Sequence, residues 1–99
     1  MKLTGPQCRA ARALVQWPRE LVSRRASVDL AALLAFEKEN VDPGEEARQR
    51  LCAVLEAGGA VFIPENGGGL GVRLKYARRD VRAINKWESE GGPAGEDDV

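Results

Sequence analysis

The chain contains no histidine. That absence removes the usual general base at neutral pH, the Ser/His and Cys/His nucleophile pairs and the commonest transition-metal ligand, so no enzyme, metal centre or cofactor is expected. Cysteine is scarce: Cys8 and Cys52 stand far apart with no CxxC pairing, each among apolar helical positions, as small buried core residues would be. No apolar run approaches the roughly 20 residues that span a bilayer. Met1-Lys2 leads into Thr4-Gly5-Pro6-Gln7 rather than a signal-peptide core, so a cytoplasmic protein is expected. Net charge is missing too. Fifteen Lys and Arg balance fifteen Asp and Glu, which excludes a globally basic nucleic-acid binder and leaves only a local patch.

What remains suits one small domain of 99 residues, 43% hydrophobic and 30% charged. Thr4 and Gln7 have capping-box spacing, and Cys8, Ala11 and Val15 share one helical stripe, which predicts a first helix. Trp17-Pro18 ends it, and Pro18 suits the first position of a second, short helix reaching about Ala26. Ser27-Val28-Asp29 is a tight link in which Asp29 caps a third helix over Leu30 to about Lys38. For the fourth helix, Asp42 is expected to cap, Pro43 to take the first position and Glu45 to answer as the capping-box acid. Ala47, Leu51, Val54 and Leu55 form its apolar stripe, and Gly58-Gly59 stops it.

Ala60 to Ile63 and the alternating Val72, Leu74 and Tyr76 predict a hairpin across the glycine-rich stretch 64–71. Val81, Ile84 and Trp87 suggest a short fifth helix, and residues 89–99, rich in Gly, Pro and acid, a disordered acidic tail. The glycine run 67–69 lacks the Gly-Lys-Ser/Thr of a phosphate loop and joins two strands, so it is read as a turn. The expected organisation is a helical domain over 4–58, a hairpin with a short helix over 59–88 serving dimerisation, and the tail. A two-stranded hairpin is marginal alone, and a second copy can cover it.

Four short helices with a tight turn between the second and third suggest a helix-turn-helix domain. The run Thr4-Gly5-Pro6-Gln7-Cys8-Arg9-Ala10-Ala11-Arg12 leading to Trp17, then Arg24-Arg25-Ala26-Ser27-Val28, then Phe36-Glu37, resembles the XRE family of lambda-repressor-like regulators. Val61-Phe62-Ile63 through Glu65-Asn66-Gly67-Gly68-Gly69 to Gly71-Val72-Arg73-Leu74 is similar to the hairpin that follows this domain in one subgroup of small bacterial members. The resemblance implies an all-helical DNA-binding core that dimerises, with the third helix in the major groove. It also implies a structural ion pair between an arginine late in the first helix and a glutamate ending the third, here Arg12 and Glu37.

Departures fall on the reading surface. Where members begin the second helix with Ser or Thr followed by Gln, this chain has Pro18-Arg19, and Arg19 can bind a phosphate or a guanine. On the third helix, Asp29, Leu30, Ala31, Leu34 and Ala35 replace Ser, Thr, Gln or Arg; the Leu and Ala side chains offer bases no hydrogen bond. The loop that follows is acidic, with Glu39, Asp42, Glu45 and Glu46, and the basic surplus sits in residues 1–40 and 67–88, the latter carrying Lys75, Arg78, Arg79 and Arg82. Two readings follow. In the first, a transcriptional regulator binds double-stranded DNA as a homodimer, with Arg9, Arg19, Arg24, Arg25 and Lys38 on the backbone. In the second, a degenerate helix-turn-helix binds another regulatory protein through Leu30 and Leu34, flanked by Ala31 and Ala35.

Overall fold

Thr4 starts α1 (Gly5–Val15) through the capping box that its spacing predicts: its hydroxyl accepts from the Gln7 amide at 3.2 Å, and Gln7 Oε1 accepts from the Thr4 amide at 3.1 Å. The helix ends at Gln16, in the left-handed region at φ 63°. Pro18, expected as the first residue of α2 (Arg19–Ala26), is instead its N-cap, so the helix begins one residue later than expected, and the Pro18 carbonyl accepts from the Leu21 and Val22 amides. Three residues, Ser27 to Asp29, separate α2 from α3 (Leu30–Glu39). Within that turn Ser23 Oγ donates to the Val28 carbonyl, and Asp29 Oδ2 accepts from the Ala31 and Ala32 amides at 3.2 and 3.3 Å. The computed structural model describes residues 1–75.

The start of α4 (Glu45–Ala57) corrects the sequence expectation: Gly44 is the N-cap, and Asp42 and Pro43 stay in the loop. Asp42 is drawn elsewhere. Its Oδ1 accepts from the Gly44 amide at 2.9 Å and from the Arg48 guanidinium, two contacts that hold its carboxyl below the usual carboxylate range. This small Asx turn delivers the chain to the helix through Gly44 at φ 104°, a conformation that glycine tolerates best. From α4, Arg50 reaches back and donates from Nε to the Ala26 carbonyl at 2.8 Å and from Nη2 to the Ser27 carbonyl at 3.3 Å. A cation thus closes the C-terminal end of α2, where carbonyls lack partners.

The hairpin pairs β1 (Ala60–Ile63) with β2 (Gly71–Leu74) antiparallel, Ala60 opposite Leu74 and Ile63 opposite Gly71. Alternation turns Ala60, Phe62, Val72 and Leu74 toward the helices and leaves Val61, Ile63 and Arg73 on the other face. Gln7 fastens the sheet to α1: its Nε2 donates to the Gly71 carbonyl at 3.1 Å and the Ile63 carbonyl at 3.4 Å. One buried amide therefore completes a helix cap and holds the turn end of the hairpin. In the turn, Glu65 accepts from the Gly67 and Gly69 amides and Asn66 from the Gly68 amide, so the amides a phosphate loop would offer are already bonded within the loop.

The core joins every element. Cys8, Ala11 and Val15 of α1 meet Val22 and Ala26 of α2, Leu33 and Phe36 of α3, Leu51 and Leu55 of α4, and Ala60 of β1. Cys8 is buried as expected, whereas Cys52 is only half-buried, on the rim of α4 against the core. Burial pushes both thiols up, reinforced by Glu37 beside Cys8 and by Glu56 beside Cys52, so neither is an activated thiolate. No helix among the described residues is long and apolar enough to cross a membrane. Tyr76, the expected helix around Val81, Ile84 and Trp87, the basic residues Arg78, Arg79 and Arg82 and the tail 89–99 lie outside the described residues.

Candidate functional site

Glu37, in the last full turn of α3, is 2% exposed. A carboxylate is buried only when its oxygens are met, and here they are met from two helices. Arg12 of α1 donates from Nε to Oε2 at 2.9 Å and from Nη2 to Oε1 at 2.8 Å, a two-pronged grip. Arg19, the first residue of α2, donates from Nε to the same Oε1 at 3.0 Å. The Cys8 thiol completes the shell, donating to Oε2 at 3.5 Å. Burial pushes the Glu37 carboxyl up, but the hydrogen bonds and charge of Arg12 and Arg19 outweigh it and hold the group below the usual carboxylate range. Arg12 and Glu37 thus form the ion pair that the family resemblance implied.

Arg19, expected to meet a phosphate or a guanine, also joins this cluster: its Nε is committed to Glu37 and its side chain is 27% exposed. Nothing in local spacing signals that contact; the one hint was an arginine standing where a shorter polar residue was expected. Arg24 and Arg25 are exposed in the last turn of α2, with the Arg25 guanidinium 4.9 Å from the centroid of the Trp17 ring. Arg9 on α1 and Lys38 at the end of α3 are exposed, and their side chains, like that of Arg24, make no hydrogen bond or ion pair with a described residue. The structure joins Arg19 to the Arg12–Glu37 pair. It does not bring Arg9 or Lys38 into that cluster.

The outward side of α3 is apolar. Leu30 is 42% and Leu34 36% exposed, Ala31 is exposed, and Leu33 and Phe36 point into the core on the opposite side. Ala35 departs from the expected face, being half-buried. Asp29 is exposed, but its carboxylate is spent on capping α3. The acidic loop is partly neutralised, with Asp42 on Arg48 and Glu46 at 3.9 Å from Arg50. Among the described residues no group of three His, Cys, Asp or Glu side chains stands close enough to hold a metal ion. Neither a protein-family model nor a curated protein matches the chain.

Proposed function

We propose that the chain is a transcriptional regulator of the lambda-repressor-like helix-turn-helix class, the XRE family its motifs resemble, and that it binds double-stranded DNA as a homodimer. The observation that carries this reading is the α2–turn–α3 pair: three connecting residues, with α3 seated on the core through Leu33, Phe36 and Glu37 and its other side open. Arg19, Arg24 and Arg25 on α2, with Arg9 and Lys38, supply the positive charge that backbone phosphates require. Leu30, Ala31 and Leu34 can touch thymine methyl groups but cannot read base edges by hydrogen bonds, so specificity is led by DNA shape. The hairpin is the dimerisation element, since Val61 and Ile63 lie on its far face and a two-stranded sheet leaves both edges open.

Titration of the full chain against its own promoter and a scrambled duplex at low and moderate salt tests the reading. Promoter binding is expected to survive moderate salt at a stoichiometry of two chains per site, while scrambled-duplex binding falls steeply. Loss of both in parallel would leave only nonspecific attraction, and saturation by one chain per site would remove the dimer.

The exposure of Leu30 and Leu34 favours a second reading, in which the outward side of α3 binds another regulatory protein. Replacing both leucines by glutamine should change stability by less than about 1 kcal/mol, because neither is buried. If α3 is a protein-binding face, the double variant keeps its DNA affinity and loses the partner in a pull-down from native extract. Unchanged partner capture with weakened DNA binding would discard this second reading.

A further inference from the structure

We infer that Glu37 is a positioning residue for DNA contact as well as a structural one: through Nε of Arg19 it fixes that guanidinium so that its two terminal nitrogens are presented to a backbone phosphate. The inference rests on the DNA-binding reading. Three observations lead to it. Arg12 alone meets both carboxylate oxygens of Glu37, with Nε at 2.9 Å from Oε2 and Nη2 at 2.8 Å from Oε1, so the buried charge is already paired before Arg19 is counted. Arg19 adds a single bond, and only from Nε; Nη1 and Nη2 have no partner among the described residues. Arg19 is also the more exposed of the two arginines and sits at the first position of α2, whereas Arg12 lies deeper and spends Nη1 on the Trp17 carbonyl at 3.3 Å.

A guanidinium tethered at Nε loses most of its rotamer freedom before a ligand arrives, and the remaining edge matches two oxygens of a phosphate. A long side chain fixed at its inner end has little reach, which favours the backbone over a base edge in the groove. Lysine cannot reproduce the arrangement. Its single nitrogen can approach Glu37 or a phosphate, but it has no second group with which to keep the tether.

The test is a double-substitution cycle read by anisotropy of a fluorescein-labelled duplex of mixed sequence, using the full chain over a range of salt. With Arg19 present, E37Q is expected to weaken binding about tenfold and to lower the salt slope by about one contact. With Arg19→Ala already in place, E37Q should change affinity less than about twofold, because there is nothing left to position. Equal losses in both backgrounds would make Glu37 purely structural and overturn the inference. Should E37Q fail to fold, Arg19→Lys carries the test: although it keeps the charge, it should bind several-fold more weakly than the wild type, and wild-type affinity for the lysine variant would overturn the inference. An affinity loss confined to one duplex sequence, with the salt slope unchanged, would place Arg19 on a base and overturn it as well. A wild-type chain that leaves the duplex free even at low salt would overturn the DNA reading and this inference with it, whereas tight wild-type binding without coupling overturns the inference alone.

Discussion

Replacing Glu37 by alanine is expected to cost the fold about 3 kcal/mol, read as a lower denaturant midpoint at unchanged slope. Removing one partner of a buried ion pair typically costs about 3–5 kcal/mol, because the other charge is left in the interior without compensation. The lower end applies here, since Arg12 and Arg19 reach water at 17% and 27% exposure and can turn outward. A domain of this size holds about 5–15 kcal/mol in total, so the variant should be marginal rather than unfolded. Arg19→Ala should be mild by comparison, because Arg12 still meets both oxygens of the carboxylate. Equal losses from Glu37→Ala and Arg19→Ala would mean that Arg19, rather than Arg12, neutralises the buried charge.

The same residue sets an acid limit. Because Arg12 and Arg19 hold the folded carboxyl below its ordinary value of about 4.3, the native state binds the proton more weakly than the unfolded chain. Its stabilisation is therefore fully present above that ordinary value and is lost as pH falls through the lower folded one. Below about pH 4 the wild-type melting temperature should fall more steeply than that of Glu37→Ala, which has no such proton to gain. Parallel curves would show that other carboxylates, Asp42 among them, carry the acid sensitivity.

The helices were legible in the sequence where local physics fixed them. Thr4 and Gln7 sit at the one spacing that closes a capping box, Asp29 caps a helix through amides two and three residues on, and the Leu51–Leu55 stripe needs only helical period to reach the core. The start of α4 was misread because two caps competed. Asp42 had the right spacing to Glu45, but Arg48, a turn further on, pulled its carboxylate into an exposed ion pair and left the cap to Gly44. The candidate site was half legible. The Arg12–Glu37 pair was implied by the family resemblance alone, and the apolar outward side of α3 by the positions of Leu30 and Leu34. The contacts that complete the site join residues far apart in sequence: Arg19 to Glu37, Arg50 to the end of α2, and Gln7 to the hairpin carbonyls. No local period encodes such pairs, because each depends on how two finished elements come to rest against one another.

Gly5 is the clearest position of that kind, and Gly5→Ala should destabilise the chain by about 3 kcal/mol or more. It is the first residue of α1 in the structure and has no unusual backbone angle, so strain of the glycine itself is not the issue. The issue is space. A Cβ there would stand 1.8 Å from the Phe36 carbonyl oxygen, 2.9 Å from its carbon and 3.0 Å from Asn40 Oδ1. Neither neighbour yields cheaply: the Phe36 carbonyl accepts from the Asn40 amide at 2.9 Å at the end of α3, and Asn40 Oδ1 accepts from the Gly5 amide at 2.8 Å. Relieving the clash means lifting the start of α1 off the end of α3, which also withdraws Phe36 and Glu37 from the contacts that seat them. Gly58→Ala provides the comparison, because its Cβ would meet the Trp17 ring at 2.6 Å, a side chain that can rotate away at a cost of about 1–2 kcal/mol. Denaturant melts of the two variants should rank Gly5→Ala as the more severe, with the hairpin released along with α1 because Gln7 lies two residues on. If Gly5→Ala instead melts within about 1 kcal/mol of wild type, the close approach of α1 to the end of α3 is not part of the native packing, and the seat of Glu37 has to be redrawn.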